Sequence, residues 1–249
     1  MGSLDGRRVV VTGASSGIGA AVARAAAAEG ARVGLLARRE DRLRDLAAEI
    51  GGVAAAGDVT DPDSVATAVD RLAGELGGLD ALVSAAGTMH LGAVADTDPE
   101  VWREILEVNV VGHLAAARAA LAHLGEGSSI VSLSSMSGRR VPSAAGGVYA
   151  ASKHAVHAVD ETLRLEAGPR GVRVTTVAPG FVATDLMASD LIDGQAQDRD
   201  DVASFRARMH DEGLRPADVA AAVVHVLGLP ASVCVVEYAL TSMRQQGLR

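Results

Sequence analysis

A single cysteine, Cys234, leaves this chain no internal disulfide, which fits a reducing compartment and makes the cytoplasm the expected location. Positive charge is also short. Lys and Arg number 23 against 31 Asp and Glu, a net charge of −8, and an acidic surface repels phosphate backbones, so nucleic acid is not an expected partner. Residues 1–8 are polar and the apolar run after them, 9–11, is too short for the core of a signal peptide. The longest apolar stretch, 219–236, approaches the length of a membrane span. It carries His225, Gly228 and Pro230, so it reads as a helix, a turn and a buried strand, with Cys234 a small buried hydrophobe, and no membrane is expected. The seven histidines show no metal-ligand spacing, and no metal is expected. The weakly hydrophobic composition of a disordered chain is absent as well, since 49 % of residues are hydrophobic.

What is present is an alternation. Short β-branched runs at 8–12, 32–37, 53–57, 81–84, 129–134, 173–177 and 233–237 are separated by Ala-rich helical stretches. The helices are expected at 17–29, 41–50, 62–76, 99–124, 148–167 and 216–227, with Asp41 and Asp61 as N-caps and Pro62, Pro99 and Pro216 in first turns. This is the rhythm of repeated βαβ units: a parallel sheet of about seven strands with helices on both faces, one domain over 1–249. One segment breaks it. Residues 183–215 are rich in Asp and interrupted by Leu186, Met187, Leu191, Ile192 and Phe205, the composition of a substrate lid that buries one face on closing.

The first strand runs into Thr12-Gly13-Ala14-Ser15-Ser16-Gly17-Ile18-Gly19 and then a helix. Glycines there allow positive φ and close backbone approach, and the helix N-terminus offers N–H donors to a diphosphate. A tight structural turn is the alternative. The second strand ends Ala37-Arg38-Arg39, with no acid before Glu40. An acid at that point would hold a ribose 2′-OH, whereas two guanidiniums without an obvious partner suit a 2′-phosphate, with Ser15 adding a hydroxyl. A solvated arginine pair is the alternative.

Tyr149 and Lys153 stand at i and i+4 on one helix face. A nearby ammonium stabilises phenolate, so the Tyr149 pKa is expected to fall toward working pH, aided by an oxidised nicotinamide cation, and the phenol then protonates a carbonyl oxygen or runs the reverse. Upstream, 130–138 is a strand ending in hydroxyls at its C-terminal edge, where open α/β sheets bind ligands. A serine there hydrogen-bonds a substrate oxygen. Ordinary helix surface and a polar turn are the alternatives for each motif alone.

Together these motifs resemble the short-chain dehydrogenase/reductase family over nearly the whole chain, which implies a Rossmann-like doubly wound sheet and an NADP(H)-dependent oxidoreductase. By that resemblance the turn 12–19 is the cofactor turn, Asp58 and Val59 contact adenine, and Asn109 is the helix asparagine that positions a relay water. Ser135, Tyr149 and Lys153 are the catalytic set, Lys153 also binding the nicotinamide ribose. Pro179, Gly180, Phe181, Val182, Ala183 and Thr184 form the nicotinamide segment, Val182 and Thr184 holding the carboxamide. There are two departures. Ser84-Ala85-Ala86-Gly87 stands where the family has Asn-Asn-Ala-Gly, and Ser135 precedes Tyr149 by one residue more than is usual, which leaves Ser134 and Ser137 as rivals.

The expected substrate is a bulky apolar ketone or aldehyde, with Met89 and Met136 beside the lid residues. The sequence style resembles ketoreductases of specialised, polyketide-like metabolism, of the angucycline and clavulanate types, and a homodimer or homotetramer is expected. His154 and His157 are assigned to packing or solvation and His90 to the pocket border. An NADP-linked dehydrogenase working mainly in oxidation and a cofactor-binding sensor without turnover are the alternatives.

Overall fold

Each apolar run in the sequence alternates its side chains between two faces, and the structure uses both. It is a computed structural model and describes residues 2–184, 207 and 209–245. Seven strands form one parallel sheet: β1 (Arg8–Thr12), β2 (Arg32–Ala37), β3 (Val53–Ala56), β4 (Ala81–Ser84), β5 (Ser129–Leu133), β6 (Arg173–Pro179) and β7 (Glu237–Leu240). Their order is β3-β2-β1-β4-β5-β6-β7. The direction of winding reverses between β1 and β4, so a crevice opens beyond their C-terminal ends, the place where such sheets bind ligands.

The helices are α1 (Gly17–Ala28), α2 (Glu40–Ile50), α3 (Pro62–Leu76), α4 (Pro99–Leu106), α5 (Gly112–Leu121), α6 (Gly147–Ala167) and α7 (Pro216–Leu227). On one face Val9, Val11, Leu35 and Val131 pack under α1, α2 and α7. On the other, Val10, Leu36, Leu82 and Ile130 meet α3, α5 and α6. This is period-two burial on both sides, as a sheet covered by helices requires.

Asp61 accepts from the amides of Asp63 and Ser64 and caps α3, and Pro62, Pro99 and Pro216 open their helices, as expected. Asp98 caps α4 through the Glu100 amide. Four expectations need correction. Arg39, not Asp41, is the cap residue of α2; Asp41 lies in the first turn, where its carboxylate favours the helix dipole instead. The stretch expected as one helix over 99–124 is broken by a π-helical turn, Glu107–Val111, that carries Asn109. The last strand begins at Glu237 rather than 233. The Val233 carbonyl accepts from Arg173 Nη1 at 3.1 Å and the Val235 carbonyl from Thr175 Oγ1 at 2.6 Å, so side chains occupy the groups a ladder would use. Cys234 is consequently exposed, not buried.

Candidate active site

The glycine turn after β1 is built for close approach. A Cβ on Gly13, whose φ is +64°, would stand 2.7 Å from the Ala86 backbone, and one on Gly19 would stand 2.3 Å from the Gly13 carbonyl oxygen. The cap residue of α1, Ser16, does not turn its hydroxyl onto the first-turn amides. Those donors and the dipole behind them suit a phosphate. Ser15 and Ser16 instead receive Arg39: Nη2 donates to Ser15 Oγ at 2.9 Å and to Ser16 Oγ at 2.7 Å. Arg38, its side chain 75 % exposed, lies 3.9 Å from Asp58 Oδ2. The arginines are therefore partnered, contrary to the sequence reading, and their partners rim the turn. Asp58 Oδ1 also accepts from the Thr60 amide and hydroxyl, and Val59 is buried. A glycine cradle, unclaimed helix amides and two guanidiniums at one rim fit a dinucleotide bearing a 2′-phosphate.

Across the crevice, Thr12 Oγ1 accepts from the amides of Ala85 and Ala86, so one hydroxyl at the end of β1 holds the loop where Ser84-Ala85 replaces the familiar asparagines. Gly87 then meets two expected site residues: its missing Cβ would lie 3.3 Å from Asn109 Oδ1 and 3.7 Å from Lys153 Nζ. Asn109 is buried, with Oδ1 accepting from the Thr88 amide at 2.8 Å and Nδ2 donating to the Thr88 carbonyl and to Ser152 Oγ.

The strand β5 and the helix α6 carry the remaining groups. The Ser135 hydroxyl lies near enough to the Tyr149 phenol to draw its pKa down, and it accepts from the Ser137 amide at 3.1 Å. Ser134 is turned the other way, its hydroxyl donating to the Lys153 carbonyl. Lys153 Nζ donates to the Leu133 carbonyl at 2.9 Å and sits 5.8 Å from the Tyr149 ring centroid. Lys153 is buried and Tyr149 half-buried, and loss of water decides the titration of both. The Tyr149 phenol is pushed up to about 12, against the pull of Ser135, and the Lys153 amine is brought down to about 8, against the field of Asp160. The expected fall of the phenol is therefore absent from the protein without cofactor: loss of water outweighs the ammonium.

The segment after β6 closes the crevice. Val182 bridges to Leu214, and the Thr184 methyl lies 3.5 Å from where a Gly17 Cβ would be, which brings this segment to the cofactor turn. Gly180 follows Pro179 and donates to the Leu240 carbonyl. Ile18 packs against the core under α1. Most of the expected lid, including Leu186, Met187, Leu191, Ile192 and Phe205, lies outside the described residues. His90 Nε2 faces Glu104 at 3.3 Å, and His154 Nδ1 turns back to the Ala150 carbonyl.

Two features of the site went unnoticed in the sequence. Lys153 is the sole lysine of the chain, the other basic residues all being arginine. Asp160, fully buried on α6, faces the same strand as Lys153, and the signal was a charged residue two turns along an otherwise apolar helix face.

The family model described as short chain dehydrogenase matches residues 7–193. Glycine betaine reductase ATRR of Emericella nidulans is 39 % identical over 244 residues, which are 95 % of this chain but 19 % of that much longer protein. Galactitol 2-dehydrogenase (L-tagatose-forming) of Cereibacter sphaeroides is 43 % identical over 191 residues, 74 % of each chain. A short chain dehydrogenase from Burkholderia cenocepacia, solved in complex with NADP, superposes with a TM-score of 0.83 at 37 % identity, covering 96 % of this chain and 97 % of its own.

Proposed function

This chain belongs to the short-chain dehydrogenase/reductase family and is an NADP(H)-dependent oxidoreductase acting on alcohol and carbonyl groups, and from that premise we propose that it reduces a bulky, apolar ketone or aldehyde, with Tyr149 as the proton donor. The observation that carries the assignment is the only lysine of the sequence, bonded to the Leu133 carbonyl at the end of β5 and 5.8 Å from the Tyr149 ring centroid, with the Ser135 hydroxyl near the phenol. NADPH, when bound, supplies the hydride. Gly13, Ser15, Ser16, Gly17, Ile18 and Gly19 cradle its diphosphate, Arg38 and Arg39 take the 2′-phosphate, and Asp58 and Val59 flank the adenine. Ala86 and Gly87 form the opposite wall. Pro179, Gly180, Val182 and Thr184 hold the nicotinamide end, since Thr184 reaches the Gly17 turn.

Ser135 orients the substrate oxygen toward the phenol and stabilises the charge that gathers there. Tyr149 gives its proton from Oη to that oxygen. A phenol held near 12 stays protonated through the working range, which suits the reductive direction. Lys153 would bind the ribose; its ammonium lowers the cost of the phenolate left behind and returns a proton to it. Asn109, its amide committed to Thr88 and Ser152, sets the loop against α6 and so places the relay water that re-protonates Lys153.

An apolar substrate is supported by the loops that follow β4 and β5. The Gly92 amide donates to the Ala145 carbonyl at 2.9 Å, tying the two loops together, and Val94 and Val141 stand exposed on them. Met89 and Met136 lie at their bases. A polyketide-type intermediate suits these apolar walls, and the proposed enzyme is a cytoplasmic homodimer or homotetramer. The experiment is Tyr149→Phe: NADPH binding is retained and turnover of an aromatic ketone falls by about 10²-fold or more. A near-normal kcat overturns the assignment.

A further inference from the structure

Ile130 and Ser132 of β5 and Ser134 just beyond it face α6, apolar at the start of the strand and hydroxylated toward its end. Opposite the hydroxyls lies Asp160, at 0 % exposure. Its Oδ2 accepts from Ser132 Oγ and from Thr176 Oγ1, the latter at 2.6 Å, and its Oδ1 faces His113 Nε2 at 2.8 Å. Thus β5, β6 and α5 each supply one donor to a carboxylate on α6. A carboxylate so buried is costly unless its charge is answered.

The imidazole does not answer it. His113 Nδ1 is buried with no hydrogen-bond partner. The two hydroxyls carry no charge. The cation that remains is Lys153, seven residues earlier on the same helix face, whose Nζ is bonded to the Leu133 carbonyl between the two serines. The other titratable or charged groups around it are Tyr149 and His157 on α6, His113 on α5, Arg139 after the Ser135 turn and Glu237 on β7. Arg139 and Glu237 pair with each other at 2.6 Å, and His157 lies 4.0 Å from Glu237.

We infer that Asp160 is a positioning residue for Lys153: its buried carboxylate, fixed by Ser132, Thr176 and His113, is the counter-charge that keeps the lysine an ammonium beside Tyr149. The inference rests on the reading of Lys153 given above. Among the described residues Asp160 is the charged group whose field raises the Lys153 amine against the effect of burial.

Because the chain has one lysine, a preparation labelled with 13C at lysine Cε reports this amine as a single side-chain resonance, without cofactor or turnover. The wild-type midpoint is expected near 8. In Asp160→Asn it falls by about one pH unit or more, the size expected for loss of a nearby opposite charge. Thr176→Val removes a hydrogen bond and keeps the charge, so its midpoint stays while its stability drops. The alkaline limb of kcat/KM moves down with the amine in Asp160→Asn. Should the asparagine variant not fold, Asp160→Thr, smaller and still able to bond Ser132 and Thr176, serves instead. An unmoved midpoint in whichever neutral variant folds overturns the inference. A midpoint that moves while the kcat/KM limb stays supports the counter-charge and overturns the role of Lys153 in turnover.

Discussion

Replacing Lys153 with Met should reshape the dependence of stability on pH, because one buried amine dominates the alkaline range of this fold. Burial brings that amine to about 8 from an ordinary 10.5. Below pH 8 it is charged in the folded and the unfolded chain alike, and the folded state bears the whole cost of an ammonium held away from water. Between pH 8 and 10.5 the unfolded chain keeps a proton that the folded chain has released, so stability rises with pH across that window. The gap of about 2.5 pH units corresponds to about 3 kcal/mol. Tyr149 acts in the opposite sense. Its phenol, at about 12 against an ordinary 10, keeps its proton in the fold after the unfolded chain has lost it, so stability falls from pH 10 upward. The two contributions together crest near pH 10. Lys153→Met keeps the side-chain volume and removes the first of them. It also forfeits the bond to Leu133 and leaves Asp160 without its cation, which lowers the curve without giving it slope in this window. Urea unfolding followed by far-UV circular dichroism, in half-unit steps from pH 6.5 to 10.5, measures both proteins. Their difference cancels the shared groups and should change by about 3 kcal/mol in favour of the wild type as pH rises. Parallel curves would refute the buried-amine reasoning.

Cofactor preference should follow Arg39. Reversing its charge in Arg39→Asp removes one charge-assisted contact to the 2′-phosphate and should weaken NADPH by about 10- to 150-fold while sparing NADH, as fluorescence titration of both cofactors would read; equal losses for the two would reassign the residue. The two adjacent serines should separate cleanly. Ser135→Ala should lower kcat by about 10²-fold with NADPH binding unchanged, whereas Ser134→Ala, which gives up only a bond to the Lys153 carbonyl, should cost about 1 kcal/mol of stability and leave kcat alone.

Apart from the π-helical break inside 99–124 and the cap of α2, the helices and the first six strands were legible because their signals are local. Proline at a first turn, Asp61 three residues before Ser64, and alternating Val9, Val10 and Val11 each depend on neighbours in sequence alone. The last strand was misplaced because its limits depend on Arg173 and Thr175, two side chains from β6 that take carbonyls of 233–235. Cys234 went wrong with it. The site residues could be proposed from the sequence as an ordered series of motifs, and of the three serines considered it is Ser135 whose hydroxyl influences the phenol. The direction of the Tyr149 titration was not legible, since it turns on how much water burial removes, a quantity no spacing reveals. Asp160 escaped for a related reason: a lone aspartate on a helix reads as solvated surface until the strand facing it is known to carry hydroxyls.

Those hydroxyls also explain how the site keeps its alignment. Three consecutive residues at the end of β5 and just beyond it hold α6: Ser132 through Asp160, the Leu133 carbonyl through Lys153 Nζ, and Ser134 through the Lys153 backbone. Apolar contacts alone would tolerate a small slide of the helix along the strand, because one methyl against another is replaced by a similar contact. Here a slide would leave an ammonium, a carboxylate and two hydroxyls buried without partners, at a cost of several kcal/mol. The residue that follows is Ser135, and its approach to the Tyr149 phenol has only the slack that those three polar contacts leave. The register that lets a phenol meet a serine hydroxyl is thus held by charged and hydroxyl groups deeper in the same helix–strand seam, and the Gly92–Ala145 tie holds only the loops above it.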